Sequence, residues 1–351
     1  MRIAAARVLT TDGFVGPAAL IVEGDRIAAI ESVASAPDVT LAPGFVDLQV
    51  NGVDAIDVAT AHGEDWDALD AALHRTGVTT WCPTLVTAPL ADIATCIAGI
   101  PTRGSIAGIH LEGPFLGGRP GAHRRELLRP IDLDWLVALP ASVRIVTLSP
   151  ELDGAPEAVR ALVARGIVVS LGHTAATIEQ VRTCIDAGAR MVTHLFNGMP
   201  ALHHREPGMV GAALTDDRVV AGLIADLVHV HPTAIDIAFR TKPGRIALVT
   251  DSVAWRRQRT DLVHDGSAPR LPDGTLAGSS LTMDAAVRNV VVHANVGLEA
   301  ALRAASSTPA ALAGLTDRGR IEVGARADLL TLDRELRVAD VWSGGAQVAC
   351  V

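Results

Sequence analysis

The sequence predicts an α/β fold, a (β/α)8 TIM barrel with a small β-sandwich formed by both termini. Eight short apolar runs alternate with helical stretches, and most runs are apolar throughout, as parallel strands buried on both faces require. Four runs end in a metal-ligand or acid–base residue, which is expected where the carboxyl ends of barrel strands surround one mouth. These four residues are Glu112, His173, His194 and Asp251.

The predicted elements follow this alternation along the chain. The predicted strands are residues 46–50, 78–82, 106–111, 144–148, 167–171, 191–193, 219–225 and 246–250. Helical periodicity is clear in residues 65–75, 155–164 and 177–187. The alternative, an open doubly wound sheet, would carry a glycine-rich phosphate-binding sequence after an early strand, and the sequence has none.

The two ends of the chain differ from the middle. Residues 4–9, 18–22 and 26–30 read as short strands separated by turns, and residues 337–341 and 346–351 repeat that pattern. We therefore expect residues 1–42 and 318–351 to form one β-sandwich domain beside a catalytic barrel of residues 43–317.

Composition excludes several classes of function. A net charge of -9 argues against binding to nucleic acid or to acidic membranes. The 4 cysteines form no CxxC pair, and no apolar stretch suits a signal peptide or a membrane span. We expect a cytoplasmic protein with reduced thiols. The single lysine, Lys242, lies in a loop context unsuited to a P-loop, a Schiff base or a carboxylated metal bridge.

The strand-end residues suggest a metal site. Glu112 precedes Gly-Pro, which marks a sharp exit from the strand, and His173 and His194 each end an apolar run. A lone glutamate or histidine at such a position is more often structural or solvated. Three residues of zinc-ligand type on one rim, however, match a catalytic zinc site with an open position for water.

Asp251 is the predicted general base. It could take a proton from a metal-activated water molecule and return it to the leaving amine. The alternative is that Asp251 caps a following helix, but the sequence after it does not read as a helix start. Gln49 and Asn51 occupy positions where two histidines would add ligands, so we expect one metal ion per chain, with zinc favoured.

Other polar residues could hold a substrate. Asn197 and Gly198 follow His194, and Arg205 could bind an anion. His229 lies just beyond a predicted strand, and His123 lies in a loop rich in glycine and arginine. Each of these alone is more often a surface residue than part of a site.

Several motifs together resemble the N-acetylglucosamine-6-phosphate deacetylases, a family of the amidohydrolase superfamily. They occur in the family's order and span most of the predicted barrel. The matching segments are residues 43–52, 110–115, 172–174, 193–199, 205–208, 225–230, 249–251 and 276–283, with residues 324–329 similar to the superfamily's C-terminal β segment.

The resemblance implies a barrel with a β-sandwich, a metal held by Glu112, His173 and His194, and acid–base catalysis by Asp251. It also implies a homo-oligomer, dimer or tetramer, in which Arg205 could serve a neighbouring subunit. The implied substrate contacts are Ala122, His123, Asn197, Gly198, Arg205, Asp226 to His229, and Leu276, Ala277 and Gly278.

The resulting hypothesis is deacetylation of N-acetyl-D-glucosamine 6-phosphate to D-glucosamine 6-phosphate and acetate. The alternatives are deacetylation of another N-acyl hexosamine phosphate, such as N-acetylgalactosamine 6-phosphate, and a catalytically silent sugar-phosphate binder. A hydantoinase or dihydroorotase would need paired histidines in the first strand and a barrel lysine, which this sequence lacks.

Overall fold

The computed structural model describes residues 1–256 and 262–350. Its central feature is an eight-stranded parallel sheet in which the strands follow one another in chain order. We label these strands β1 to β8. They are β1 (Phe45–Val50), β2 (Val78–Val86), β3 (Ile109–Glu112), β4 (Val143–Leu148), β5 (Val168–Leu171), β6 (Met191–Val192), β7 (Val220–Leu223) and β8 (Ile246–Leu248).

Helices surround this sheet, and the predicted barrel is confirmed. The helices are α1 (Asp65–His74), α2 (Leu90–Gly99), α3 (Leu133–Val137), α4 (Ala155–Ala164), α5 (Ile178–Ala187), α6 (Gly208–Thr215), α7 (Pro232–Thr241), α8 (Met283–His293), α9 (Leu298–Ala305) and α10 (Ser307–Leu312). Thr177 and Gln180 form a capping box that begins α5, because each side chain bonds the other's backbone N–H. Of the helices described, none is long and apolar enough to cross a bilayer.

The strands are buried because helices cover one face and the barrel interior fills the other. All six residues of β1 are buried, including the polar Asp47 and Gln49. Strand β2 is longer than the sequence predicted, reaching Val86 instead of residue 82. Strand β3 begins later than predicted, at Ile109, since Gly108 has a φ of 135° that a regular strand does not accommodate.

The barrel is closed by contacts between the end of β1 and the segment that follows β8. The Asp251 N–H donates to the Gln49 carbonyl at 2.9 Å, and the Asn51 N–H donates to the Ser252 carbonyl at 2.8 Å. The buried Asp47 carboxylate adds a side-chain tie, because the Thr250 hydroxyl donates to its Oδ2 at 2.6 Å. Burial raises the pKa of Asp47 to about 7 despite this hydrogen bond.

Both chain ends supply two further sheets. A three-stranded sheet contains Arg2–Ala5, Ala18–Glu23 and Arg26–Ser32. A six-stranded sheet contains, in spatial order, Ala346–Cys350, Val338–Ser343, Leu329–Leu332, Thr40–Pro43, Arg7–Thr10 and Gly13–Val15. Residues from both sheets, such as Leu20, Ile27, Leu41 and Trp342, share a second hydrophobic core.

The predicted strand 4–9 is two strands, because the chain crosses from one sheet to the other at Ala6. We propose the same two domains as the sequence suggested. Residues 1–42 and 318–351 form the β-sandwich domain, and residues 43–317 form the barrel. Val351, the last residue of the predicted strand 346–351, lies outside the described residues.

Two short β pairs and two 3-10 turns complete the described chain. The pairs are Gly52–Val53 with Ile56–Asp57 and Val263–His264 with Pro269–Arg270. The 3-10 turns are Val58–Thr60 and Arg125–Leu127. The cysteines Cys82, Cys96, Cys184 and Cys350 are free thiols.

Replacing Thr250 with valine should weaken barrel closure. The substitution leaves the buried Asp47 carboxylate without its shortest hydrogen bond, which should lower the free energy of unfolding by roughly 1–3 kcal/mol. Urea unfolding of Thr250→Val measures this, with Thr183→Val as the matched control because Thr183 is exposed on α5. Equal losses in both variants would contradict the closure argument.

Candidate functional site

Three side chains from the carboxyl ends of β3, β5 and β6 meet at one point. Glu112 Oε1 lies 3.2 Å from His173 Nε2 and 3.1 Å from His194 Nε2. The two imidazole Nε2 atoms are 3.0 Å apart. The structure therefore brings together all three residues that the sequence suggested as metal ligands.

The backbone turns these residues inward at some conformational cost. His173, His194 and Asp251 have φ values of 50°, 29° and 48°, in the left-handed region that non-glycine residues rarely adopt. Such conformations cost on the order of 1 kcal/mol each and persist where surrounding contacts hold them. Here they redirect the chain as it leaves the strand, so that each side chain faces the barrel mouth.

The donor atoms suit a divalent cation. His173 Nδ1 lies 3.1 Å from the Arg119 carbonyl and His194 Nδ1 lies 3.1 Å from the Asn197 carbonyl. A carbonyl only accepts, so each ring carries a proton on Nδ1, and in the neutral form the lone pair of Nε2 would then point towards Glu112.

Three unprotonated donor atoms within 3.2 Å of one another would repel each other unless a cation lay between them. A tetrahedral zinc ion with bonds of about 2.1 Å holds its donors about 3.4 Å apart, close to the spacing here. The residues present therefore fit a metal ion.

His123 stands beside this cluster. Its Nε2 is 4.0 Å from Glu112 Oε2, and its ring centroid is 4.4 Å from that of His173. Glu112, His123 and His173 thus form another possible set of ligands, with donor atoms within 4.8 Å of one another. His194 is the closer partner of Glu112, so the set with His194 fits one small ion better.

The environment of His123 favours its neutral form. Burial lowers the pKa of His123 to about 3. Its Nδ1 lies 2.8 Å from the Thr87 hydroxyl, which can donate or accept. The ring therefore remains a neutral hydrogen-bonding group in the physiological pH range.

Asp251 lies next to the cluster and is held by two amides. Asn51 Nδ2 donates to its Oδ1 at 2.7 Å, and Gln49 Nε2 donates to the same atom at 3.1 Å. Gln49 Nε2 also lies 3.2 Å from Glu112 Oε1, so this amide bridges the two carboxylates. Sequence reasoning used Gln49 and Asn51 only to argue for one metal, whereas the structure makes them hydrogen-bond donors to Asp251.

The charge state of Asp251 suits proton transfer. Burial, followed by the negative charge of Glu112, raises the pKa of Asp251 to about 7. A cation at the cluster would lower this pKa again. The next helix that the structure describes after Asp251 is α8, which begins at Met283, so Asp251 does not act as its cap.

Two of the residues implied as substrate contacts border the cluster directly. Asn197 accepts the hydrogen bond from His194 Nδ1 through its carbonyl. Gly198 has a φ of 62°, and a Cβ there would stand 2.9 Å from His173 Nδ1, so only glycine fits. Ala122, which is half-buried, directly precedes His123.

Two further segments approach Asp251. His229 Nδ1 lies 2.7 Å from Asp226 Oδ2, and a positive charge on His229 would lower the pKa of Asp251. Gly278 is the last residue of the Leu276, Ala277, Gly278 segment. A Cβ on Gly278 would stand 2.8 Å from the Asp251 carbonyl, which places this segment against the site.

Arg205 is the exception among the predicted site residues. It is exposed, and its Nη1 lies 2.7 Å from His204 Nε2. Within the described part of this single chain it makes no hydrogen bond to the cluster.

Sequence reasoning missed Thr87 and Glu151. Thr87 directly follows β2, so its strand-end position was a signal that could have found it. Glu151 Oε1 accepts from the Gly118 and Ala175 N–H groups at 2.9 and 2.8 Å. It thereby ties the loop before His123 to the turn after His173, a link between remote segments that no local pattern indicates.

The chain is similar to known proteins over nearly its whole length. Residues 40–348 match the model of the amidohydrolase family. The N-acetylgalactosamine-6-phosphate deacetylase of Escherichia coli O157:H7 is 38% identical, over 97% of this chain and 97% of that protein. The N-acetylglucosamine-6-phosphate deacetylase of Bos taurus is 39% identical, over 88% of this chain and 83% of that protein.

Solved structures agree in fold. The N-acetylglucosamine-6-phosphate deacetylase of Thermotoga maritima superposes with a TM-score of 0.92 at 31% identity, covering 100% of both chains. A mutant of the Mycobacterium smegmatis enzyme, solved in complex with N-acetyl-D-glucosamine-6-phosphate, gives a TM-score of 0.91 at 34% identity, covering 99% of both chains.

Zinc binding should distinguish the two candidate ligand sets. We expect His194→Ala to lower the affinity for Zn²⁺ by roughly a hundredfold or more, because one of three direct donors is lost. His123→Ala should lower the affinity for Zn²⁺ by no more than about tenfold. This is the smallest loss typical when a residue beside the metal ligands, and not a ligand itself, is removed. Equilibrium dialysis with Zn²⁺ measures both, and the exposed His204→Ala serves as control. The reverse order of effects would assign the metal to Glu112, His123 and His173.

Proposed function

The chain belongs to the amidohydrolase family, and we propose that it hydrolyses the acetamide of N-acetyl-D-glucosamine 6-phosphate to D-glucosamine 6-phosphate and acetate. The observation that carries this proposal is the convergence of Glu112, His173 and His194 beside a buried Asp251 at the barrel mouth. The named deacetylases above, which cover most of this chain, support the choice of an N-acetylated sugar phosphate.

We assign one divalent cation, with zinc favoured, to Glu112, His173 and His194. Such an ion would polarise the amide carbonyl and lower the pKa of a water molecule. Asp251 takes the proton of the attacking water and delivers it to the amine nitrogen as the carbon–nitrogen bond breaks. The amides of Asn51 and Gln49 hold the carboxylate of Asp251 in position for both transfers.

His123 would stabilise the negative charge that develops on the carbonyl oxygen. When the Thr87 hydroxyl donates to Nδ1, the ring proton resides on Nε2, the atom that faces Glu112 and the centre of the site. A neutral donor fixed in a buried site can stabilise an oxyanion without first reorganising. Its low pKa matters here, since His123 stays neutral as Asp251 changes charge.

The phosphorylated sugar would be held around this centre. Asn197 would offer its side-chain amide to the sugar, and Gly198 would offer its backbone. His229 would offer its imidazole, which Asp226 orients through a contact of 2.7 Å between Nδ1 and Oδ2. Ala122 and the segment of Leu276, Ala277 and Gly278 would form the walls.

Arg205 would bind the phosphate of a neighbouring subunit's substrate. Its side chain is exposed and makes no hydrogen bond to the described cluster of its own chain. This arrangement supports a homo-oligomer, a dimer or a tetramer. The net charge of -9 argues against nucleic acid or an acidic membrane as a partner. A cytoplasmic location stays a prediction.

N-acetylgalactosamine 6-phosphate is the second candidate substrate. The relative named for that substrate matches 97% of this chain, against 88% for the relative named for the glucosamine derivative. The two sugars differ only in the configuration at C4, so the same amide chemistry serves both. A catalytically silent sugar-phosphate binder is the weaker alternative, because a binder has no need for a buried Asp251 beside a metal cluster.

A substrate panel tests the proposal. With zinc-loaded enzyme, we expect N-acetyl-D-glucosamine 6-phosphate to give the highest kcat/KM for acetate release, and N-acetyl-D-glucosamine without phosphate to give roughly a hundredfold less. Faster release from N-acetylgalactosamine 6-phosphate would favour the second candidate. No acetate from any of the three by fully zinc-loaded enzyme would support the silent binder.

Asp251→Asn should retain the metal and lose turnover. An amide cannot accept the proton of water, so kcat should fall by about 10²–10⁴ while bound zinc stays at the wild-type level. Acetate release and metal analysis on the same sample measure both, with the exposed Asp273→Asn as control. An active, zinc-loaded Asp251→Asn enzyme would refute the assigned role.

A further inference from the structure

A second cavity lies at the opposite end of the barrel from the metal cluster. It has a volume of about 440 Å³ and is bordered by the amino-terminal ends of β5 to β8 and by α10. His173, at the other end, follows the first residue of β5 by five positions, which separates the two sites by roughly 15 Å along the strand. The cavity therefore shares no side chain with the catalytic centre.

Three arginines line this cavity, each just before a barrel strand. Arg190 precedes β6, Arg218 precedes β7 and Arg245 precedes β8. No aspartate or glutamate is among the described residues that line it. Such a concentration of positive charge is notable in a chain with a net charge of -9.

Arg190 and Arg245 leave their guanidinium groups largely without protein partners. Arg190 uses only Nη1, which donates to the Ile185 and Ala189 carbonyls at 3.1 and 2.8 Å. Its Nε and Nη2 donate to no acceptor in the described chain, and they form the edge that binds a phosphate or carboxylate in a fork. The side chain of Arg245, which is exposed, forms no hydrogen bond or ion pair within the described ranges.

Arg218 differs, because carboxylates already hold it. Its guanidinium lies 2.6 Å from Asp216 and 2.7 Å from Asp186. It therefore contributes less free positive charge to the cavity than Arg190 and Arg245.

The sheet fixes the spacing of those two arginines. The Val220 N–H donates to the Arg190 carbonyl, and the Ala221 N–H donates to the Arg245 carbonyl, each at 2.9 Å. The two arginines thus flank β7 on either side, with their backbones about 10 Å apart because neighbouring strands are about 4.8 Å apart. Both arginines line the same cavity, so an anion bound inside it would lie beside both residues.

From this geometry we propose a second ligand site, in which Arg190 and Arg245 bind the phosphate group of a small phosphorylated metabolite. The cavity volume is within the range of ligand pockets. Val168, Val220 and Leu312 give it apolar walls, so the rest of the ligand would be compact and uncharged. Binding here is independent of the deacetylase proposal, since none of these residues takes part in that chemistry.

The double variant Arg190→Gln/Arg245→Gln tests this site against a charge-matched control, Arg160→Gln/Arg334→Gln. Arg160 and Arg334 are exposed, with side-chain exposures of 56% and 76%, and each pairs with a carboxylate elsewhere on the surface. Inorganic phosphate is the probe, titrated at 150 mM NaCl while the melting temperature is followed, since a ligand that binds the folded state raises it.

We expect the double variant to need roughly tenfold more phosphate than the control for the same rise in melting temperature, because two charge-assisted bonds are lost. Any phosphate bound at the catalytic mouth affects both proteins equally. Acetate release should be unchanged in both. Identical phosphate titrations in the double variant and the control would overturn the proposal.

Crystals of the unmodified protein grown with tungstate give an independent answer if a variant folds poorly. Tungstate resembles phosphate, and its anomalous signal locates it. A peak between Arg190 and Arg245 supports the site. A peak only at the catalytic mouth, or none, overturns it, whatever the outcome of the deacetylase assays.

Discussion

The hydrogen bonds that join the end of β1 to the segment after β8 close the barrel and position its candidate site. The hydrogen bond from the Asp251 N–H to the Gln49 carbonyl joins two residues that are remote in the chain. It brings the Asp251 carboxylate against the amides of Gln49 and Asn51, and Gln49 then reaches Glu112. Without closure, Asp251 would have neither its partners nor its place beside Glu112, His173 and His194.

The candidate site contains several energetically unfavourable arrangements, which the surrounding barrel keeps in place. Three non-glycine residues take left-handed φ angles, and two imidazole lone pairs face a carboxylate. A buried Asp251 carries a pKa of about 7 for the same reason, since burial and Glu112 both oppose its charge. A rigid scaffold with a large hydrophobic core can sustain such costs, and a bound cation would offset most of them.

The two ends of the barrel carry different chemistry on the same strands. At the carboxyl ends of β5 and β6, His173 and His194 supply imidazole nitrogens beside a carboxylate. At the amino ends of β6 and β8, Arg190 and Arg245 supply positive charge beside apolar walls. Both arrangements arise because a parallel barrel collects equivalent positions of successive strands at one rim.

The barrel could be predicted from the sequence alone, because burial on both faces leaves continuous apolar runs whose ends are visible in a single chain. The same strand ends singled out Glu112, His173, His194 and Asp251, whose catalytic roles stay predictions. The sequence also indicated His123 through family motifs. Several features were decided only by the tertiary structure, since each depends on contacts between remote segments. These are the split of the first strand at Ala6, the amide bridge of Gln49, the Glu151 tie between two loops, the exposure of Arg205, and the placement of Arg190 and Arg245 on one cavity. The hydrophobic pattern of the sequence indicates which face of a helix or strand is buried. The order of the strands and the closure of the barrel decide which distant side chains come together.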